Sequence, residues 1–287
     1  MWVELTMKNL LNIMISAIAF MISFGIAYLT GNEIVINAVL LAFLISWAAF
    51  IPAYGFQTEK FYDLTGSIKY LLLIWITYLA AFQINGYNIG SLILTLFISV
   101  WTIRLGSFLF MRIHKDGEDK RFRTIKTSWS QFFMTWTLSG MWVSICSMCA
   151  LTAISSNTGV VTNSIFYIGA FLFVVGLSIE VIADNQKSVF RSVEANKNKF
   201  ITTGLWAKSR HPNYLGEIVL WFAVAVMSFS SLTGLQYITL ISPIFTYLLL
   251  VHVSGVRMLE ARSDIKWADN QEYQEYKRET PVLFFKL

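Results

Sequence analysis

The densest run of chemically capable residues is Thr203-Gly-Leu-Trp-Ala-Lys-Ser-Arg-His-Pro-Asn-Tyr-Leu-Gly-Glu217. Pro212 suits the first turn of a helix, and Ser209 stands where a cap is expected. A helix start offers free N–H groups and positive potential to an anion, and Arg210 and His211 would add charge there. Asn213 and Glu217 are four residues apart, so they share one helix face with Tyr214 beside them. Upstream, Glu180 and Asp184 repeat that spacing, and Asn185, Gln186, Lys187 and Arg191 continue the polar track. Carboxylates can hold ribose hydroxyls and guanidinium groups can hold phosphates. An ordinary solvated helix end stitched by ion pairs fits the same residues.

A second set is Glu59, Tyr62 and Asp63, which fall within five residues. Carboxyl and phenol groups at a membrane edge can polarise a carbonyl or deliver a proton. Asp63 or Thr65 ahead of an apolar run can equally be a helix cap. In Trp101-Thr-Ile-Arg104 the arginine lies about two turns inside an apolar run. That depth marks a functional residue or one that snorkels to the interface. The stretch from Arg112 to Lys126, with Glu118-Asp119-Lys120-Arg121, suits phosphate or anionic lipid heads. Near the C-terminus come Arg257, Glu260, Tyr273 and Tyr276; the two tyrosines can close over a cofactor or belong to an amphipathic tail on the membrane. His114 and His252 have no partners at metal-binding spacing, so no metal is expected. Cys146 and Cys149 read as two small residues of a membrane helix.

The elements that must position these groups follow from composition. The chain has 287 residues, 56% hydrophobic and 14% charged, with a mean hydropathy of +0.58. Soluble domains carry about 25% charged residues. A disordered chain, a disulfide scaffold and most soluble enzymes are excluded; a polytopic membrane protein is expected. Eight runs approach the length of a bilayer crossing: Leu10–Thr30, Ile34–Tyr54, Ile68–Asn85, Ile89–Met111, Ser130–Ile154, Ser164–Ala183, Tyr214–Ser230 and Leu235–Val253. Each must be helical, because lipid offers no partner to backbone groups. The expected fold is an all-α bundle of seven to eight transmembrane helices, forming one integral membrane domain over 1–287. Nothing in Met1–Leu10 reads as a cleavable signal.

The net charge of +5 would suit nucleic acid in a soluble protein, but here its distribution decides, and no nucleic acid is expected. The connections Gly31–Glu33, Gly86–Asn88, Ser155–Asn163 and Ser231–Gly234 hold no Lys or Arg. The 22 basic residues, Lys69 and Arg104 included, are assigned to the opposite side or its membrane edge. The positive-inside bias then puts both termini and the long loops in the cytosol, in a bacterial inner membrane or an endoplasmic reticulum. Of the acids only Glu33 lies on the far face. Transporters commonly place polar groups at the midplane and on both sides. One-sided polarity suits an enzyme that takes a soluble cofactor from the cytosol and a lipid from the bilayer.

Gly204-Leu-Trp206 with Ser209-Arg-His-Pro-Asn-Tyr-Leu-Gly-Glu217 resembles the steroid 5-alpha-reductase superfamily, and within it the bacterial-type branch of steroid-reductase-like membrane proteins. The likeness extends to Ala183-Asp-Asn-Gln-Lys187, Phe61-Tyr-Asp63, Trp101-x-x-Arg104 and the Tyr273/Tyr276/Thr280-Pro281 tail. It makes 61–287 the reductase-like region and 1–60 additional N-terminal helices. The resemblance implies NADPH held by the C-terminal half, with Asn213 and Glu217 at the nicotinamide and Asp184 and Arg191 at hydroxyls and phosphates. Arg104, Lys187, Trp206, Ser209, Arg210, His211, Tyr214, Arg257, Glu260, Tyr273 and Tyr276 complete the implied cofactor set. Hydride would pass to an activated C=C bond of a lipid or sterol-like substrate. Glu59, Tyr62, Asp63 and Trp101 are the implied catalytic residues. The family's Gln-Glu pair is matched only by Gln57 and Glu59, which Thr58 separates. Its tyrosine is replaced by Trp101, which donates a hydrogen bond but no proton, leaving that role to Asp63 or Tyr62.

Two other readings compete. Membrane methyltransferases of the isoprenylcysteine carboxyl type share the R-H-P-x-Y-x-G turn and a Glu-Tyr-x-x-Tyr tail, and use S-adenosylmethionine. They tend to carry tryptophan where this chain has Glu217, and a doubled glutamate near Glu260, which it lacks. A lipid-binding scaffold would need none of the polar residues for activity.

Overall fold

A computed structural model describes residues 2–286 of the chain. It is 79% helical, with no strand among the described residues. The helices are α1 (Trp2–Leu29), α2 (Glu33–Gly55), α3 (Tyr62–Asn85), α4 (Ile89–Asp116), the short α5 (Phe122–Ile125), α6 (Trp129–Ile154), α7 (Ser164–Ser192), α8 (Pro212–Phe229), α9 (Ile241–Leu248), α10 (Val256–Lys266) and α11 (Gln271–Glu279). Eight segments among the described residues are long and apolar enough to cross a membrane, so the chain is a multi-pass helical membrane protein.

Helix starts are fixed locally. The Asn32 side chain accepts from the N–H groups of Ile34 and Val35, and Asn88 accepts from Ser91 N–H at 2.7 Å. Each satisfies donors that the first turn leaves open. Gly117, at φ +77°, closes α4 in a backbone region where a side chain would be strained. Two helices differ from the apolar runs. Helix α7 continues past Ala183 to Ser192, so Asp184, Lys187 and Arg191 belong to the same helix as Glu180. The last crossing, Gly234–Lys266, is not one regular helix. It runs through a 3-10 turn, then α9, then a π-helical turn at Leu249–Val253, and restarts at α10 after Gly255.

The helices group into two compact units. The first comprises Met1–Phe166 and Met227–Ser242. Its centre is α6, 83% buried over its apolar stretch. Helices α1, α2 and α3 pack around α6, and α4 packs on α3. Small residues permit the close approaches: at Gly140 an added Cβ would lie 3.0 Å from the Phe43 ring and 3.2 Å from Ser46 Oγ. The second unit comprises Tyr167–Val226 and Pro243–Leu287. Its spine is the contact of α7 with α8 at Gly176 and Gly216. A Cβ on Gly216 would lie 2.6 Å from Glu180 N and from Gly176 O. The two backbones touch there, and no side chain fits between them.

Lys69 faces the interior of the first unit. It lies two turns inside α3, fully buried, and its ammonium donates to Ser46 Oγ (2.7 Å) on α2 and Ser139 Oγ (2.8 Å) on α6. Both hydroxyls come from neighbouring helices, so the amine is held by packing within the first unit.

Candidate functional site

In the second unit the α7/α8 contact gathers the polar residues. Because Gly216 seats its backbone against Glu180, the adjacent Glu217 is carried into the same layer. Glu180, Asp184 and Glu217 are all buried. Asn213, one turn before Glu217, donates its amide to Asp184 Oδ1 at 3.2 Å. Lys187 and Arg191 continue along α7: Lys187 lies with its ammonium 4.4 Å from the Trp206 ring centre, and Arg191 is exposed. The acids form no metal centre: no group of three His, Cys, Asp or Glu suited to a metal occurs among the described residues.

The segment ahead of α8 is fastened to α7. Gly204, at φ +65°, leaves room only for the Gln186 side chain, whose Oε1 accepts from Leu205 N–H at 2.9 Å. The Trp206 indole donates to the Ala183 carbonyl at 3.0 Å. Ser209 is not the helix cap expected of it. Its hydroxyl donates to the Leu283 carbonyl (2.7 Å) and accepts from His211 N–H, while the His211 carbonyl receives the first α8 bond from Leu215. The tail is laced alongside: Arg210 N–H donates to the Pro281 carbonyl and Lys286 N–H to the Lys208 carbonyl, each at 2.9 Å.

Arg210 and His211 do not present open charge to an anion. Glu260 on α10 takes Arg210 Nη1 at 3.1 Å and His211 Nε2 at 2.8 Å. Burial pushes the His211 imidazole below its usual range, outweighing the Glu260 hydrogen bond that favours the charged form. A neutral ring with its proton on Nε2 satisfies the carboxylate. The Tyr214 ring stacks on His211 at 5.8 Å. Gly255, at the restart of the broken crossing, lies where a Cβ would sit 3.1 Å from Tyr214. Arg257 is exposed in the first turn of α10.

The tail tyrosines anchor α11. Tyr273 donates to Asp264 Oδ1 (3.2 Å), Tyr276 donates to the Trp206 carbonyl (2.6 Å), and Phe200 packs on both. Burial, reinforced by Glu260 and Asp264, pushes the Tyr273 phenol up to about 12. Burial also raises Tyr276 despite Arg210 nearby. Both therefore remain donors at physiological pH.

In the first unit the expected catalytic residues separate. Glu59 is buried, accepting from Asp119 N–H (3.0 Å) and pairing with Lys126 Nζ (2.7 Å), which ties down the 117–126 connection. Asp119 in turn binds Arg121; burial would raise its carboxyl, but that guanidinium holds it below the usual range. Tyr62 donates to the Thr135 carbonyl at 3.0 Å and packs on Phe122 and Trp136. Asp63 and Trp101 line one narrow crevice formed by α3, α4 and α6, with about the room of a single water. Asp63 also lies 3.8 Å from Arg112. Arg104 is half-buried on α4, its guanidinium 5.4 Å from the Phe108 ring centre.

Sequence spacing did not single out Lys69, Tyr70 or Trp142. Tyr70 and Trp142 line that crevice, and the Tyr70 ring meets Trp101 and Trp142 edge-on, at 5.2 and 5.5 Å. The one signal available was Asp63-x-x-x-Ser67-x-x-Tyr70, a polar stripe at helical spacing inside an apolar span.

Comparison with known proteins adds a family. The profile of a family described as "Protein of unknown function (DUF1295)", which includes steroid 5-alpha-reductase-like membrane proteins, matches residues 49–280. A curated relative, "Probable O-methyltransferase ustE" of Ustilaginoidea virens, is 33% identical over 92 residues, covering 31% of this chain and 32% of that protein. The match thus spans about a third of the relative's length. No solved structure matches.

Proposed function

The chain belongs to the DUF1295 family, and from that premise we propose that it is an NADPH-dependent membrane reductase acting on an activated C=C bond of a lipid or sterol-like molecule. The observation that carries this reading is the hydrogen bond of half-buried Asn213 to buried Asp184 at the α7/α8 contact, with buried Glu217 one turn further along α8. A nicotinamide carboxamide presents both donors and an acceptor. Asn213 can answer both, and the Glu217 carboxylate accepts only. Asp184 suits a ribose hydroxyl, and Lys187 and Arg191 on the next turns of α7 suit phosphates. These residues therefore fit the cofactor, which when bound supplies a hydride.

The remaining work falls to the chain itself. Glu180, Asp184 and Glu217 are screened from water, which strengthens every polar contact made there. In the first unit Asp63 is the crevice residue able to hold and move a proton, and Trp101 can only donate a hydrogen bond. The confinement of basic residues to alternate connections supports a cofactor side open to the cytosol.

Methyl transfer from S-adenosylmethionine is the second reading. It is favoured by the name of the fungal relative, and buried carboxylates also suit a sulfonium cation. Thermal unfolding of the purified protein with NADPH, NADH or S-adenosylmethionine separates the two. A ligand at 100 times its dissociation constant adds about 2.7 kcal/mol. The reductase reading expects that gain with NADPH, and its loss in Glu217→Gln and in Arg191→Ala. A gain with S-adenosylmethionine and none with NADPH would replace it by methyl transfer.

A further inference from the structure

The crevice between α3, α4 and α6 holds an unexplained donor. Trp142 lines it, and the Trp142 indole N–H is buried with no hydrogen-bond partner. An indole nitrogen only donates, and leaving it unmatched in an apolar interior costs about 1–3 kcal/mol. Trp136, one and a half turns earlier on α6, has the same unmatched N–H. It is fully buried in the aromatic cluster with Phe122 and Phe132 and does not line the crevice. Trp142 differs because space adjoins it.

The walls of that space select the ligand. Tyr70 and Trp101 are fully buried and form an aromatic floor, while Ser67 and Leu105 are half-exposed at the mouth. The space between them is about water-sized, so it admits one atom of a ligand whose apolar body stays outside. Asp63 adds a carboxylate to the lining, and an anionic head group would have to compete with it for Arg112, 3.8 Å away. A single neutral acceptor atom satisfies Trp142 without opposing Asp63.

We infer that the α3/α4/α6 crevice binds a neutral lipid through one carbonyl oxygen, with Trp142 Nε1–H as its donor and the determinant of specificity. The inference deepens the reductase reading and rests on it for the reactive class: a carbonyl beside the C=C bond is what activates that bond. Trp142 thereby polarises the carbonyl from a fixed position, as preorganised donors do.

The test is binding of tritiated 2-hexadecanone to the full chain in lipid nanodiscs, without cofactor, competed by hexadecane and by hexadecanoate. The ketone has no C=C bond, so the proposed reaction leaves it intact. The expected result is ketone binding at least about tenfold tighter than either competitor. Trp142→Phe should abolish the advantage of ketone over hydrocarbon while hydrocarbon still binds. Leu105→Trp, which fills the crevice from its half-exposed side, should remove ketone binding altogether. An undiminished ketone preference in Trp142→Phe, a preference for hexadecanoate, or ketone binding in Leu105→Trp would each overturn the inference. Stabilisation by NADPH, followed in the same samples, reports on the cofactor reading separately. A failed ketone site with an intact NADPH response sinks the crevice alone, and the reverse result sinks the reductase alone.

Discussion

The two units handle polarity in opposite ways. In the first, the buried polar groups are mostly hydroxyls: Lys69 rests on two serines, and a matched pair occurs at Glu59 and Lys126 beside the 117–126 connection. In the second, carboxylates are buried within a few residues of one helix contact, and Arg210 and His211 are matched to Glu260. Hydroxyls rotate and back-bond to their own helix, as Ser46 does to the Ala42 carbonyl at 2.9 Å. They adapt to whatever lies beside them. Matched charges do not, because removing one partner leaves the other buried and unpaired. The first unit is therefore built to accommodate and the second to fix geometry.

The glycines offer the hardest test of that contrast. At Gly176 an added Cβ would lie 2.7 Å from Gly216 O and from Leu220 N, both backbone atoms. At Gly66 in the first unit the nearest atom is Cζ3 of the Trp142 side chain at 3.6 Å, an ordinary contact. Gly176→Ala should cost about 3 kcal/mol and abolish any nucleotide response. Gly66→Ala should change stability by less than about 1 kcal/mol. Denaturant titration of both variants decides it, and equal losses would erase the distinction.

Charge removal gives a comparable effect. Glu260→Leu strands an arginine whose side chain is only 9% exposed, and should destabilise the protein by about 3 kcal/mol. Lys69→Met removes an amine whose serine partners keep other contacts, and should change stability by less than about 1 kcal/mol. Should Lys69→Met prove as damaging as Glu260→Leu, the first unit depends on its charge after all.

Acidity probes the second unit most gently. Burial keeps folded His211 neutral at a pH where the unfolded imidazole takes up a proton, with Glu260, Arg210 and Lys187 as the charges around it. Stability should fall as pH drops through about 6.5, then level off once the folded ring also protonates, with no contribution above that range. Thermal unfolding between pH 5 and 8 should show this slope in the native chain and a flatter one in His211→Gln.

What the sequence made legible follows the same division. Hydrophobic length alone located eight crossings. It could not locate the irregularity at Leu249–Val253, because hydropathy counts apolar atoms and a π-helical turn is as apolar as an α-helical one. Asp184, Asn213 and Glu217 could be picked out because helical spacing within α7 and within α8 already sets their faces. The crevice could not, since Asp63, Trp101 and Trp142 come from three helices and meet only through packing. Glu59 and Tyr62 stand near Asp63 in sequence but turn to Lys126 and Thr135, because the connection after α4 folds back over them. Ser209 read as a cap because only the neighbouring sequence was in view; its partner, Leu283, lies in the distant tail.

Lys69 also bears on how the protein is made. A lysine at the centre of a crossing costs about 2.5–3.5 kcal/mol when a helix enters the bilayer, and Lys69, two turns from the start of α3, carries part of that cost. Of its two hydroxyl partners, Ser46 has already been synthesised when α3 emerges from the ribosome, but Ser139 lies 70 residues further on. Helix α3 must therefore enter lipid incompletely satisfied, sheltered by α2 alone, until α6 arrives to complete the pair. The order of translation thus makes α6, the best-buried helix of the first unit, the piece that locks its predecessors in place.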